Sequence, residues 1–445
     1  MSIDTSPIAP SDPSAGLRHA VRGRVLLPGD PEFDDARRPW NLAVDQPATA
    51  VVEAADAADV AALVRYARAT GMAISTQPSG HGATGRTEGT VLLRTGRLDD
   101  IRVDAPGRRA VVGAGVRSGA LQAAVAPYGL TGLPGSSPVV TVAGVALGGG
   151  LSWFGRAHGW VADSVTAFDI VDADGSPRHV TEATDQDMFW ALRGGGGDYA
   201  VVTALELALH EAPQLYGGRV LWDGEHAAAV LEVYRDLTRT APDELTVWFD
   251  RLHFPGGPPL VALDATYLGD DSAARDLLAA VDRLLPPPLS DSRRPMSVAE
   301  LGGITAEPTD PAPGRSRCEL LTALDDDAIG ALLAEPIAPL MSVQVRHLGG
   351  AFARPSDSPH GPLAEPYAVY MFGVPSDPAA ATAITAKQRA LAGALPISGR
   401  KPVTFLNPSE SLADALHPDA LDRLRRIKAE RDPVGMFRSN FSSRP

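Results

Sequence analysis

The chain is short of cysteine, of basic charge and of long apolar runs. One cysteine, Cys318, in 445 residues allows neither an intrachain disulfide nor a cysteine-based metal cluster. The formal net charge is -14, with 40 lysines and arginines against 54 aspartates and glutamates, whereas a nucleic-acid surface needs concentrated positive charge. We therefore expect no nucleic-acid partner and no metal site.

Targeting signals are also missing. The N-terminal stretch MSIDTSPIAPSDPSAG lacks the basic patch and apolar core of a secretory signal, and no apolar segment approaches the length of a membrane span. These absences predict a cytoplasmic protein without a membrane partner. With 44% hydrophobic residues, the chain is long enough for two domains with substantial cores.

The periodicity of the chain changes near residue 216. Residues 1–25, rich in proline and serine, are expected to form a flexible tail. The segment 55–71 has apolar residues three and four apart and ends on a glycine, which predicts a helix within a region of short strands. Beyond 216, longer strand patterns such as LTVWFDRLHF and YAVYMFGV alternate with helical segments, which is typical of an antiparallel sheet covered by helices. The sequence predicts an α+β fold of two domains.

A histidine lies in a glycine-rich loop, QPSGHGATG, at 77–85, directly after a helix pattern and a short strand pattern. Glycine allows positive φ and lets a backbone approach a ligand closely. The loop therefore favours a ligand-binding role with His81 facing the ligand. The alternative is an ordinary surface turn carrying a solvated histidine.

Two further glycine runs follow in the same half of the chain, GVALGGGLSWFG at 144–155 and RGGGGDYAVVT at 193–203. Successive glycines can expose backbone N–H groups in a concave nest that suits a pyrophosphate. A flexible linker is the alternative, but the apolar flanks argue against it. Together with the His81 loop, the runs predict one large phosphate-containing ligand.

In this order, the motifs resemble those of the berberine-bridge-enzyme-like FAD-linked oxidases, which share the vanillyl-alcohol oxidase fold. The matching segments are QPSGHGATG, PGSSPVVTVAGVALGGG, DMFWALRGGGGDYAVVT and the terminal LDRLRRIKAERDPVGMFRSNFSSRP. Bacterial members, one of them a flavoenzyme of enterocin biosynthesis, look most similar. The resemblance implies an FAD-binding domain of the p-cresol methylhydroxylase type at 26–215, a substrate domain at 216–404, and a segment at 405–445 that returns to the FAD domain.

The resemblance also implies FAD as the cofactor, bonded to His81 through the flavin 8α-methyl carbon. Such a bond withdraws electrons from the flavin ring and raises its reduction potential, which favours hydride acceptance. Many relatives have a second tether, a cysteine where this chain has Ser137, so a single covalent link is expected. The residues expected to contact the cofactor are Ser79, Gly80, His81, Gly82, Ser137, Gly144, Gly148, Gly149, Gly150, Val202 and Asn440.

The substrate domain departs from the family pattern. Many bacterial relatives place a catalytic tyrosine two residues before an asparagine, and VTFLNPSE has Phe405 there, ahead of Asn407. Phenylalanine has no ionisable hydroxyl, so the usual base is missing. We predict Tyr370, and after it His347, as the proton acceptor.

Strand alternation places Ser342, Gln344 and Arg346 on one face of the segment MSVQVRHLGG. For each of these residues, a packed or solvent-facing position in the sheet is the alternative. The residues expected to line the substrate pocket are Trp153, Ser342, Gln344, Arg346, Phe405 and Asn407.

The implied function is that of an FAD-dependent oxidoreductase. As an oxidase it would transfer hydride from a small or medium organic substrate, of secondary-metabolite type, to flavin N5, with O2 as acceptor. Two alternatives remain: oxygenation through a flavin–oxygen adduct, and a flavin-holding scaffold for binding or cyclisation without redox turnover. The expected partners are a small-molecule substrate and O2, and the expected assembly is a monomer or a homodimer.

Overall fold

The computed structural model describes residues 13–444. Twelve residues of the expected tail, 1–12, lie outside this range. The rest of the expected tail is structured, because a helix, α1 (Pro13–Ala20), and a strand, β1 (Arg24–Leu26), occupy it. Leu17 is fully buried in a hydrophobic core, so the chain joins the folded body from its first described helix.

The first sheet has four strands in the order β1-β2-β4-β3. The strands that follow β1 are β2 (Ala50–Glu53), β3 (Ala73–Thr76) and β4 (Thr90–Arg94). They are accompanied by helices α2 (Phe33–Arg37) and α3 (Ala57–Thr70). Helix α3 begins at Asp56, whose side chain accepts the Asp59 N–H, and ends at Gly71 with φ +75. Helix α3 packs on the sheet, and the chain then continues through β3 into the 77–85 loop.

The second sheet is antiparallel, with the order β5-β6-β10-β8-β9, and a two-stranded ribbon of β7 and β11 lies beside it. Its strands and those of the ribbon are β5 (Ile101–Asp104), β6 (Arg109–Gly113), β7 (Leu130–Thr131), β8 (Val165–Val171), β9 (Pro177–Val180), β10 (Val201–Ala208) and β11 (His210–Glu211). Its helices are α4 (Ser118–Val125), α5 (Val142–Leu147), α6 (Gly155–His158) and α7 (Gln186–Leu192).

A large antiparallel sheet begins at residue 216, with the order β15-β12-β14-β13-β18-β19-β17 and β16 paired to β12. Its strands are β12 (Tyr216–Asp223), β13 (Leu245–His253), β14 (Pro259–Tyr267), β15 (Ser290–Asp291), β16 (Arg294–Pro295), β17 (Arg315–Leu321), β18 (Ser342–His347) and β19 (Tyr367–Gly373). The helices of this region are α8 (Ala227–Thr240), α9 (Asp271–Leu284), α10 (Gly302–Thr305), α11 (Asp326–Leu333) and α12 (Pro378–Ala394).

The two faces of this large sheet have different neighbours. Helices α8, α9, α11 and α12 cover one face with an apolar core. The other face packs on the first domain, where Trp248 of β13 stacks on Trp153 with 3.4 Å between ring centroids. This domain-facing side carries the polar residues described below.

After the large sheet, helix α13 (Pro418–Arg431) leads the chain back to the first domain. Phe437 pairs with Ile74 of β3, in parallel. The buried Lys428 ammonium donates to the carbonyl of Phe437 at 2.7 Å and to the Asp432 carboxylate at 2.8 Å. The Asp198 carboxylate accepts backbone N–H groups of this terminal segment, so buried charges pin it in place.

The mixed helices and antiparallel sheets confirm the predicted α+β class. Among the described residues, no helix combines the length and apolar character needed to cross a membrane.

Candidate cofactor and substrate site

His81 lies in the loop after β3, between an aromatic ring and a hydroxyl. Its ring stacks on Trp40 with 4.3 Å between centroids, and its Nδ1 lies 3.0 Å from Ser79 Oγ. Its Nε2 is buried and has no hydrogen-bond partner within the described part of the chain. Burial, with Arg117 as the second cause, lowers the pKa of His81 to about 4, so the ring is neutral at pH 7.

The His81 loop is anchored on one side and open on the other. The backbone N–H of Trp40 donates to the Ser79 carbonyl at 3.0 Å. Gly80 has φ +85, and a Cβ there would come within 2.8 Å of Pro39 Cα, so glycine is required for this close approach. A Cβ at Gly82 would meet nothing within 4 Å. The open side of the loop is therefore next to the histidine.

Two other predicted cofactor residues, Gly144 and Asn440, lie beside this loop. A Cβ on Gly144 of α5 would lie 3.9 Å from Pro78 Cγ. Ser137 precedes α5, and its buried Oγ has no hydrogen-bond partner among residues 13–444. The Asn440 carbonyl accepts from Thr84 Oγ1 at 3.3 Å, which brings the terminal segment to the same loop.

The glycines 148–150 do not form the expected phosphate nest. The first two donate their N–H groups to carbonyls of α5, at 3.1 and 3.0 Å, so they close the end of that helix. A Cβ on Gly149 would come within 2.4 Å of His360, and one on Gly194 within 2.6 Å of the same ring. A Cβ on Gly150 would come within 2.7 Å of Val161. Gly149, Gly150 and Gly194 are thus packed against protein side chains, whereas a Cβ on Gly196 would meet nothing within 4 Å.

His360 fills the slot between these glycine runs. Its ring lies 4.6 Å from the Trp160 ring, and its Nε2 accepts the Val403 N–H at 3.4 Å. Burial, with a smaller contribution from Arg400, lowers the pKa of His360 to about 3. It is a neutral packing residue.

Val202 lies in β10, opposite Ile170 of β8. Its side chain is buried in the hydrophobic core that also contains Val142 and Ala146 of α5. Val202 thus belongs to the core under α5, the helix beside the His81 loop.

On the large sheet, the guanidinium of Arg346 is surrounded by rings. Its central carbon lies 4.2 Å from the Trp248 ring, 5.3 Å from the Tyr370 ring and 5.1 Å from the Phe405 ring. Trp248 in turn stacks on Trp153. Four predicted pocket or catalytic residues therefore meet at the junction of the two domains.

A polar network continues along the same face. Arg346 Nε donates to Gln344 Oε1 at 2.6 Å, and Ser342 Oγ donates to Asp250 Oδ1 at 2.7 Å. Burial raises the pKa of Asp250 to about 7 against the opposing effect of the Ser342 hydrogen bond. Beyond Asp250, Arg219 Nε donates to Asp264 Oδ1 at 2.6 Å.

Tyr370 reaches the ring cluster, but as a proton donor. Burial raises the pKa of its phenol to about 12, although a Ser316 hydrogen bond and Arg346 act in the opposite direction. The phenol is therefore neutral at pH 7 and is a poor proton acceptor.

His347 and Asn407 lie elsewhere, contrary to expectation. His347 follows Arg346 directly, so strand alternation turns its ring to the helix-covered face, 6.1 Å from Tyr367. Tyr367 is hydrogen-bonded there to Thr238 of α8. A proton acceptor on that face cannot serve the Arg346 cluster. Asn407 Oδ1 accepts the Ser409 N–H at 3.0 Å and closes a turn.

One carboxylate of the site was not singled out by its sequence. Glu307 follows α10 in a proline-rich loop, and its charge interacts with those of Arg346, Arg219 and Asp264. No local sequence pattern distinguishes it from a solvated loop residue. Only the fold brings it within electrostatic range of those charges.

Comparison with known proteins identifies an FAD binding domain and relatives of the same fold. Residues 48–181 match the FAD_binding_4 family, described as an FAD binding domain. The chain is 31% identical over 299 residues to (R)-6-hydroxynicotine oxidase of Paenarthrobacter nicotinovorans, a match that covers 65% of this chain and 64% of that protein. The chain thus matches less than two thirds of this relative's length.

Two solved structures share the whole fold. One is 6-hydroxy-D-nicotine oxidase of Arthrobacter nicotinovorans, with a TM-score of 0.82, 25% identity and coverage of 94% of this chain and 97% of that one. The other is BBE-like 1 of Physcomitrella patens, with a TM-score of 0.85, 21% identity and coverage of 98% and 99%. The second shows the fold alone. The chain therefore carries an FAD binding domain at residues 48–181 and shares the vanillyl-alcohol oxidase and p-cresol methylhydroxylase type of fold with FAD-linked oxidases.

Proposed function

We propose that this protein is an FAD-dependent oxidase that holds its flavin by one covalent bond to His81. The observation that carries the proposal is the neutral His81 in a glycine loop, whose buried Nε2 has no hydrogen-bond partner among residues 13–444. A neutral imidazole keeps a lone pair for bond formation, whereas an imidazolium does not. Ser79, at 3.0 Å from Nδ1, fixes the orientation of the ring.

A single tether agrees with the other candidate positions. Ser137 has a hydroxyl where many relatives have a thiol. Cys318 pairs with Tyr370 within the large sheet and is buried, which raises the pKa of its thiol to about 12. Such a thiol stays protonated and is a poor nucleophile.

The rest of the site supplies binding, orientation and exclusion of water. Bound FAD would supply the hydride acceptor. Arg346 and the rings of Trp248, Tyr370 and Phe405 would bind a small or medium organic alcohol or amine, with the apolar part of the substrate against the rings. Tyr370, as a neutral phenol, would donate a hydrogen bond to the reacting oxygen or nitrogen. O2 would return the flavin to its oxidised form with release of hydrogen peroxide.

The test of the tether is acid denaturation of the purified protein. We expect the yellow chromophore to stay with the wild-type polypeptide and to separate from His81→Ala. Release of flavin from the wild type contradicts the tether, and absence of flavin contradicts the whole proposal. Slow reoxidation in air after dithionite reduction contradicts the oxidase half.

Oxygenation of the substrate is the second candidate. It is favoured by Phe405, which faces the Arg346 cluster without the hydroxyl that the family pattern has there. Turnover under ¹⁸O-labelled O2 separates the two functions. An oxidase leaves the label in hydrogen peroxide, whereas an oxygenase transfers it to the product.

A further inference from the structure

The guanidinium of Arg346 has aromatic neighbours and no acidic contact. Its central carbon lies between 4.2 and 5.3 Å from the ring centroids of Trp248, Phe405 and Tyr370. Within residues 13–444 its one hydrogen bond runs from Nε to the amide oxygen of Gln344, at 2.6 Å, and no carboxylate forms an ion pair with it. The amide is neutral, so the positive charge of Arg346 has no counter-charge at contact distance.

The carboxylates of the same sheet face make their contacts elsewhere. Arg219 donates to both oxygens of Asp264, at 2.6 and 2.8 Å, and its Nη2 lies 3.7 Å from Asp250 Oδ2. Asp250, Asp264 and Glu307 also attract Arg346 over longer range. This attraction lowers the cost of burying a second guanidinium but leaves its N–H donors unused.

Two other buried arginines show the bonding of a structural guanidinium. Arg156 is 4% exposed, and its three nitrogens all donate to backbone carbonyls of the large-sheet domain. Arg193 is 8% exposed, and its three nitrogens donate to one carbonyl and two aspartates. Arg346 is 3% exposed, more buried than either, yet only its Nε has a partner among the described residues. Buried donors are normally paired, so this difference calls for a missing acceptor.

The unused donors of Arg346 are not sealed in the protein. Some nitrogens of the described chain are fully enclosed without a partner, such as Nε of Arg317, and Nη1 and Nη2 of Arg346 do not belong to that group. These two nitrogens therefore keep contact with open space. Tyr370 and Phe405 beside them are also partly exposed. A fork of N–H donors that opens between flat rings matches a planar carboxylate, which can accept two parallel hydrogen bonds.

We propose that Arg346 binds a carboxylate group of the substrate through Nη1 and Nη2, so that the substrate is an aromatic acid carrying the alcohol or amine to be oxidised. This inference rests on the proposed oxidase function and narrows its substrate. The apolar part of the acid lies against the partly exposed rings of Tyr370 and Phe405. Tyr370 is a neutral phenol and does not compete for the guanidinium. An amine without an acid group would meet only like charge at Arg346.

The first test measures binding to the purified flavoprotein by titration calorimetry. The probes are benzoate, phenylacetate and mandelate, each against its neutral amide. We expect at least one acid to bind the wild type about 10-fold or more tightly than its amide, and Arg346→Gln to weaken that acid by about 30-fold while the amide changes little. If no acid is preferred over its amide, or if the preference survives in Arg346→Gln, the inference is overturned.

Two further variants separate loss of the anchor from general damage. Gln344→Glu places a carboxylate beside Arg346 Nε at nearly constant volume, and we expect it to remove the preference for the acid as well. Arg251→Gln is the matched control, because Arg251 lies on the helix-covered face of the same sheet and donates to the Glu335 carbonyl at 3.2 Å. It should keep the preference. Equal losses in Arg251→Gln and Arg346→Gln overturn the inference.

The second test follows flavin bleaching without oxygen by mandelate and phenylglycine, each against its amide. We expect the acids to bleach the wild-type flavin about 10-fold faster at low concentration, and Arg346→Gln to lose this advantage mainly through weaker binding. Faster bleaching by the amides overturns the inference and leaves the oxidase function standing. If no alcohol or amine bleaches the flavin, the oxidase function is contradicted, and calorimetry still decides whether Arg346 binds a carboxylate.

Discussion

His81 and His360 both lie against glycines, yet their surroundings are opposite. His81 has open space beside it at Gly82, and its Nε2 has no partner in the described chain. His360 has no such space, because the ring occupies the room that Cβ atoms on Gly149 and Gly194 would need. The His81 loop therefore has free space at Gly82, whereas the His360 ring itself fills the space between its glycines.

The difference shows why glycine beside histidine does not by itself indicate a cofactor site. A glycine can be required by a ligand or by a neighbouring side chain, and both uses produce the same sequence pattern. The space around the glycine distinguishes them, since each histidine has one buried ring nitrogen without a hydrogen-bond partner in the described chain, Nε2 of His81 and Nδ1 of His360. By this criterion the 77–85 loop has the features of a tether site, and the glycines packed on His360 do not.

The largest expected effect is the opposite response of the two histidines to alanine. His360→Ala leaves a cavity between two rigid glycine runs, and we expect a loss of about 4 kcal/mol in the free energy of unfolding. His81→Ala should cost less than about 1 kcal/mol, since one side of its ring is already open. Urea unfolding of both variants measures this. Equal losses would remove the distinction between the two histidines.

Alanine at the neighbouring glycines should show the same contrast. Gly149→Ala places a Cβ 2.4 Å from the His360 ring at φ +85, so we expect a loss of about 3 kcal/mol from overpacking and backbone strain. Gly82→Ala meets nothing within 4 Å and should change stability by about 0.5 kcal/mol or less. The same unfolding experiment applies. A tolerated Gly149→Ala would show that His360 can move.

Acid should destabilise the protein partly through His360. Because its folded pKa is about 3 and the usual value is about 6.5, the unfolded chain takes up a proton first as the pH falls. The contribution of neutral His360 to the free energy of unfolding is therefore present above pH 6.5 and is lost below it, by about 2 kcal/mol between pH 6.5 and 4.5.

His360→Gln should flatten this part of the stability profile. His417→Gln is the matched control, since His417 is exposed. Unfolding free energies at several pH values are the measurement. A slope unchanged in His360→Gln would mean that the ring is protonated without cost in the folded state.

The smallest expected effect concerns the terminal segment on the His81 side. Asp198 accepts the Ser439 N–H at Oδ1 and the Ser443 N–H at Oδ2, and Asp198→Asn replaces one of these two oxygens, so we expect a loss of about 1 kcal/mol. Hydrogen exchange should become faster around Asn440, while the backbone near His360 keeps its protection. Faster exchange at both histidines would show that the two regions are coupled.

Local patterns predicted the helices and strands better than they predicted the role of each residue. The spacing of apolar residues located α3, and alternation along β18 separated Arg346 from its neighbour. The same alternation excludes His347, because adjacent residues of a strand point to opposite faces. That signal was present in the sequence, and the residue was nevertheless expected in the site.

The sequence by itself determined the α+β class, the glycine-rich His81 loop and the family resemblance, because these depend on residue type and spacing along the chain. Tertiary structure alone decided that Gly149 and Gly194 accommodate His360 and that Asn407 closes a turn. The reason is physical. Free space, burial and opposing charge arise between segments that are distant in sequence, and no local pattern encodes them.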